Sequence, residues 1–269
     1  MNREATFLHQ QLPGKPLFSN VLWSRPEQKN TAGKLAIIGG SSSGFNSVSE
    51  TYAAANQAGA GTIRVLLPDS LKKTLSKFWP ESEFASANKG GSFAANALAE
   101  WLNLATWADG IILCGDLGKN SETAILFERF LEENKNLVTI AGDSLALALD
   151  TPTQLFEQNQ LTLVLELDML QRLLNAIRYP MTMRSDQNIY QLADLLHALT
   201  QSYPWAVITQ HEGFFFAAYA GEVSTTPKTN QSLLAAGSAG SLWRIQQPAK
   251  PFASLITSSA VLMPIRRNS

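Results

Sequence analysis

The chain has 269 residues, 45% of them hydrophobic, and its 21 basic and 22 acidic side chains leave a formal net charge of -1. That balance gives no electrostatic ground for a nucleic acid or an anionic membrane as partner, and the single cysteine, Cys114, excludes an intramolecular disulfide. The N-terminal stretch MNREATFLHQQLPG lacks an apolar core of signal-peptide length, and no apolar run approaches the roughly 20 residues of a membrane-spanning helix, so the expectation is a cytoplasmic protein.

In chain order, residues 1–33 read as an irregular surface segment, because LPGKP and SRPEQKNTAG gather proline, glycine and polar residues. KLAIIGG (34–40) reads as a buried strand closed by a tight turn. SVSE (47–50) has the form of a capping box between Ser47 and Glu50, opening an alanine-rich helix that GAG (59–61) ends. TIRVLLP (62–68) reads as a strand and residues 69–78 as a helix. A helix over 93–104 precedes the strand GIILC (110–114), with Cys114 as a packing residue. The glycine turn GDLG (115–118) leads to a helix over 121–134. LVTIAGD (137–143) and LTLVLEL (161–167) read as strands, with an apolar helix running on to Leu174. Residues 185–201 show helical spacing, and WAVIT (205–209) with FFFAAYAG (214–221) reads as a hairpin within 205–225.

Strands alternating with helices predict a mostly parallel sheet covered on both faces, with an antiparallel edge, in one domain spanning residues 1–269. In such sheets ligands sit beyond the carboxyl ends of strands. Four glycine-rich turns fall there: GGSSSG (39–44), GDLG (115–118), AGD (141–143) and AAGSAGS (235–241). No P-loop and no dinucleotide fingerprint is present, since Phe45 and Asn46 stand where a P-loop needs Lys and Ser/Thr. None of His9, His197 and His211 has metal-ligand spacing, so no metal site is expected. His197 reads as structural and His211 as solvated. Asp143 and Asp116 are the most suggestive acids, with a plain helix-capping role as the competing reading.

Taken in order, these turns resemble the ATP/ADP-dependent NAD(P)H-hydrate dehydratases of the ribokinase-like superfamily. QKNTAGKLAIIGGSSSGFNSVSETYAAANQAGAGTIRVLLP (28–68) follows that family's opening, with Lys29, Gly33, Gly39, Gly40, Ser41, Gly59 and Gly61 matching. Pro80 and Glu81 match its Pro-Glu pair. CGDLG (114–118) keeps Leu117 and Gly118 of its next turn, and AGDSL (141–145) keeps Asp143 and Leu145. Its anion loop, which ends in aspartate, falls on GSAG (237–240), so Gly240 stands for that aspartate. The family's Thr-Pro-His segment falls on VLELDM (164–169) and its later lysine-glycine pair near TQH (209–211), both replaced here.

The resemblance implies a ribokinase-like three-layer αβα sandwich whose end after residue 243 is shorter than the family's, with 251–263 as a remnant. It implies ATP or ADP, with Mg2+, held by Gly237, Ser238, Ala239, Gly240 and Gly118. It places the substrate against Gly40, Ser41 and Asp143, and it implies self-association. The implied activity is repair of hydrated NADH or NADPH with loss of water, a lyase reaction. With glycine at 240, Asp143 or Asp116 is the substitute acid, and Gly240→Asp is expected to restore the family's carboxylate. Two further readings stand beside it: a nucleotide-binding or scaffolding homologue without catalysis, and a small-molecule kinase of the same superfamily.

Overall fold

Short apolar runs that are buried on both faces form the middle of a sheet, and the amphipathic segments between them cover its two sides. The computed structural model describes residues 6–261 except 13, 78, 80, 81, 150, 151, 153, 154, 156, 157, 159, 184–186 and 229. The order opens with β1 (Leu8–Gln10), α1 (Asn20–Trp23), a 3-10 turn (Lys29–Thr31), β2 (Lys34–Gly39), α2 (Asn46–Gln57) and β3 (Thr62–Pro68). A 3-10 turn (Asp69–Leu71) leads into α3 (Lys72–Leu75), then β4 (Ser82–Ala85), α4 (Leu98–Trp107), β5 (Gly110–Cys114), α5 (Ser121–Glu133) and β6 (Leu137–Ala141). A 3-10 segment (Gly142–Ala148) precedes β7 (Leu161–Val164), α6 (Leu167–Ala176) and α7 (Ile189–Ser202). β8 (Trp205–His211), β9 (Phe214–Tyr219), β10 (Glu222–Pro227), α8 (Leu233–Gln246) and α9 (Pro251–Val261) complete it.

The ten strands lie in the order β1-β10-β9-β8-β7-β6-β5-β2-β3-β4. Only β9 runs against the rest, pairing antiparallel with β8 and β10, while β1 joins β10 in parallel register with Leu8 opposite Val223. One face is covered by α4, α5, α6 and α7, around Trp101, Phe127, Phe130, Leu170 and Leu196. The other is covered by α2, α8 and α9, around Val48, Ala55, Ala236, Trp243 and Leu255. The three layers of the expected sandwich are therefore present. β2 pairs with β3 on one side and β5 on the other, so the strand order reverses at β2, and a crevice opens at that reversal.

Several local expectations are corrected. Residues 1–33 are not uniformly irregular: β1 finds its partner in β10, far along the chain, so no local apolar run announced it. The Ser47–Glu50 capping box does not form, because α2 starts earlier, with Phe45 as its N-cap and no side-chain cap. Glu50 instead accepts from the Ser232 hydroxyl. Residues 69–77 break into a 3-10 turn and a single helical turn, and Phe78, the expected end of that helix, lies outside the described residues. The helix expected over 93–104 starts at Leu98, after a 3-10 turn, and runs to Trp107. β7 stops at Val164 because Glu166 already caps α6. The helix expected from 185 begins at Ile189, where Asn188 and Gln191 form a capping box. Pro80 and Glu81, residues 185 and 186 of that expected helix, and residues 262 and 263 of the C-terminal stretch also lie outside the described residues.

The largest correction concerns 235–241. These residues are not a loop; they lie inside α8, whose N-cap is Ser232. Glycine serves there for close packing rather than for a turn. A Cβ on Gly237 would stand 2.4 Å from Val164, and one on Gly240 would meet Ile208 and Leu255 at 3.1 Å. Ser241 is buried and hydrogen-bonds Thr139 at 2.7 Å and the Gly237 carbonyl at 2.8 Å, which ties α8 to the middle of the sheet. Further along, the Arg244 guanidinium donates to the Leu161 carbonyl at 3.0 Å and to the Thr162 hydroxyl at 2.7 Å. Burial lowers its pKa from the ordinary arginine value, countered by Tyr219.

Candidate functional site

A cavity of 410 Å³ opens at the carboxyl ends of β2, β5, β6 and β7. Each strand delivers its turn to the wall: Gly40, Ser43 and Gly44 after β2, Gly115 and Asp116 after β5, Gly142 and Asp143 after β6, and Glu166 after β7. Gly40, Gly115 and Gly142 all have positive φ, so the chain folds back at each strand end in a conformation that costs other residues energy.

Two helices point their N-termini at this cavity. Phe45, Asn46, Ser47 and Val48 at the start of α2 line it, and so do Leu233 and Leu234 at the start of α8. No described residue accepts from the backbone amides of Asn46, Ser47 or Val48, since the first helical bond into the cap is Ser49 to Phe45. At α8 the Ser232 hydroxyl accepts from Ala235, leaving the amides of Leu233 and Leu234 open. Open amides at a helix start carry partial positive charge, and two such ends facing one cavity make it favourable to an anion.

Asp116, Asp143 and Glu166 line the cavity, and no lysine or arginine among the described residues does. Asp116 accepts from the Gly118 amide at 2.8 Å. Glu166 takes both of its bonds from Gln210, at 2.7 and 2.9 Å. Asp143 has no hydrogen-bond partner among the described residues. It lies in the first turn of the 3-10 segment whose N-cap is Ala141, so it is not itself a cap. A second cavity of 430 Å³ shares Glu166 and extends past Asp168, Gln210, His211 and Glu212 to Lys228. Together the two form a crevice on either side of Glu166.

The structure thus brings Gly40, Asp116 and Asp143 to one cavity, as the sequence suggests. Ser41 is buried beside it, holding the turn through a pair of backbone bonds with Gly44. Gly118 packs against Ser92 behind the wall. Gly237, Ser238, Ala239 and Gly240 are displaced from the site: they are buried in α8, where the helix uses their amides, and Gly240 occupies a packing position rather than an acid's place. Sequence reasoning missed the start of α2, although the glycine-rich GGSSSGF immediately before a helix was the usable signal. It also missed the start of α8, where Ser232 before LLAA is an N-cap pattern.

The histidines do not enter the main cavity. His197 stacks on Phe7 at 3.9 Å and bonds the Gly221 carbonyl, the structural role expected of it. His211 is half-buried and bonds the Gln187 carbonyl at 2.7 Å, which corrects the solvated reading. Cys114 is buried at the end of β5, and burial pushes its thiol up to about 12. No group of three or more histidine, cysteine or acidic side chains suited to a metal ion occurs among the described residues. No helix is long and apolar enough to cross a membrane among them.

No family model matches the sequence, and no curated protein does. Solved structures do match. A ribokinase-like superfamily protein from Enterococcus faecalis aligns over 97% of this chain and 87% of its own, with TM-score 0.67 and 16% identity. A hypothetical protein from Streptococcus mutans aligns over 90% and 84%, with TM-score 0.62 and 15% identity. An ADP/ATP-dependent NAD(P)H-hydrate dehydratase from Bacillus subtilis, co-crystallised with ATP and Mg2+, aligns over 91% and 86%, with TM-score 0.59 and 14% identity. At these identities the likeness is one of architecture: the chain has the ribokinase-like fold.

Proposed function

We propose that the chain binds a nucleotide in this crevice and uses it in NAD(P)H-hydrate dehydratase chemistry. The observation that carries the reading is the convergence of two open helix N-termini, at Asn46–Val48 and Leu233–Leu234, on a cavity at the strand-order reversal. Phosphates fit those amides. The rim carboxylates repel a bare polyphosphate, and the described residues hold no preassembled metal site, so Mg2+ would arrive already bound to the nucleotide. It would supply charge neutralisation between the phosphates and the rim.

Asp143 is the acid-base candidate, because it lines the cavity and its carboxylate has no hydrogen-bond partner among the described residues. In this reading a phosphoryl group passes from the nucleotide to the ring hydroxyl of hydrated NADH or NADPH, and Asp143 takes the hydroxyl proton. The C–O bond then breaks, phosphate leaves with its electron pair, and the neighbouring ring carbon gives up a proton to water, so that the electrons of that C–H bond restore the ring double bond. The direct test follows recovery of NADH absorbance from hydrated NADH with ATP or ADP. Turnover should depend on the nucleotide, and Asp143→Asn should slow it by about 10² to 10⁴, the usual worth of general acid-base assistance. No nucleotide-dependent recovery rejects the chemistry.

A second reading rests on Leu233 and Leu234. They give the start of α8 an apolar lining without a titratable group, which suits a homologue that binds nucleotide without turning it over. Nucleotide binding in the absence of turnover would select it.

A further inference from the structure

The two glycine turns of the cavity wall, 39–44 and 115–118, leave the paired ends of β2 and β5, where Gly39 stands opposite Cys114, and beyond that pairing no hydrogen bond joins 40–44 to 115–118 among the described residues. A third loop, residues 88–92, lies between them and touches both. On one side the Ser42 amide donates to the Gly91 carbonyl at 2.8 Å and its hydroxyl to the Gly90 carbonyl at 3.1 Å. On the other side Ser92 packs so tightly on Gly118 that a Cβ there would stand 2.0 Å from its hydroxyl. None of residues 88–92 lines the cavity.

Asn88 holds this loop in shape. Its carbonyl oxygen accepts from the amides of Gly90 at 2.9 Å and Ser92 at 3.2 Å. Its amide nitrogen donates to the Phe93 carbonyl at 3.1 Å and to Asn120, the N-cap of α5, at 3.0 Å. An asparagine amide has two donor hydrogens and an acceptor with two lone pairs, so this side chain is fully used. Its orientation is also fixed: a flipped amide would turn N–H groups against the amides of Gly90 and Ser92.

We infer that Asn88 is a positioning residue for the cavity, and that loop 88–92 is the spacer that sets the separation of the two glycine turns beyond the β2–β5 pairing. The consequence for ligand affinity rests on the nucleotide-site reading above; the mechanical part does not. Truncating Asn88 removes no cavity-lining group but loosens the spacer between the outer parts of the turns. Ligand affinity then depends on a side chain that never touches the ligand.

The test compares Asn88→Ala with Asn136→Ala. Asn136 also makes two side-chain hydrogen bonds to carbonyls, of Ala105 and Ala108, but just before β6, at the opposite end of the strands from the cavity. Hydrogen–deuterium exchange on the ligand-free proteins is the first readout. Asn88→Ala should speed exchange in both 39–44 and 115–118 by roughly tenfold, and Asn136→Ala should leave both unchanged. Exchange that stays at the natural rate in either turn overturns the inference. Calorimetric titration with ADP and Mg2+ is the second readout, with a roughly tenfold weaker affinity expected only for Asn88→Ala. If the natural protein shows no ADP binding while the exchange result holds, the nucleotide reading fails and the spacer stands. If ADP binds both variants equally well, the coupling to affinity is wrong.

Discussion

At the level of single residues, Gly240 is where family resemblance and the folded structure part. Sequence resemblance makes it a lost aspartate, and the structure makes it a packing glycine between Ile208 and Leu255. Gly240→Asp therefore restores nothing. It pushes a carboxylate into a buried helix face, and unfolding in urea should show a loss of more than about 3 kcal/mol. A variant as stable as the natural protein would refute the placement of α8. Cys114 supports a second prediction. Its thiol is raised from 9.0 to about 12 by burial, so the unfolded chain loses this proton before the folded one does. The thiol's contribution is complete below pH 9 and drains away as pH rises towards 12. Relative to Cys114→Ala, the natural protein should lose about 2 kcal/mol by about pH 10.5, measured as the difference in urea midpoints. A difference that stays constant with pH would contradict it.

Among the elements, α8 and α2 govern the cavity, and their starts are coupled. Ser232 accepts from Ala235 and donates to Glu50 on α2, so one hydroxyl both caps α8 and joins the two helices whose amides face the cavity. Ser232→Ala should cost about 1 kcal/mol, as lost caps do, read by chemical denaturation; an unchanged midpoint would mean that the cap contributes nothing. The elements also show what was legible in the sequence. β2, β3, β5 and β6 stand where their apolar runs place them, because buried parallel strands need no partner-specific signal. The first half of the site was legible for the same reason: Gly40, Asp116 and Asp143 follow directly from strand ends. The second half was not. Glycine marks a turn and a close helix–sheet approach with the same letter, and only Val164 and Ile208, far away in sequence, tell which applies at Gly237 and Gly240. β1 stayed hidden because its partner strand lies near the other end of the chain.

Taken whole, the described residues form one ten-stranded sheet with its crevice at the strand-order reversal, and two helices of one layer, α2 and α8, reach the rim. A ligand held there contacts turns from four strands and the starts of two helices, so binding should stabilise the entire fold. At about 100 times its dissociation constant, a nucleotide adds roughly 2.7 kcal/mol, equivalent to about 5–10 °C in melting temperature for a chain of this size. Thermal unfolding with ATP, ADP and NADPH in turn measures this, and no shift with any of them would remove nucleotide binding from both functional readings.

The pairing of β1 with β10 also bears on how the chain is made. His9 beside β10 meets Glu222, 213 positions later. On a ribosome adding about 5–20 residues per second, β1 waits roughly 10–40 s for its neighbour to be synthesised. During that interval β1 has no strand to pair with. β1 can therefore join the sheet only after β10 is made, and until it does a nascent chain presents the open edge of β10 to other chains.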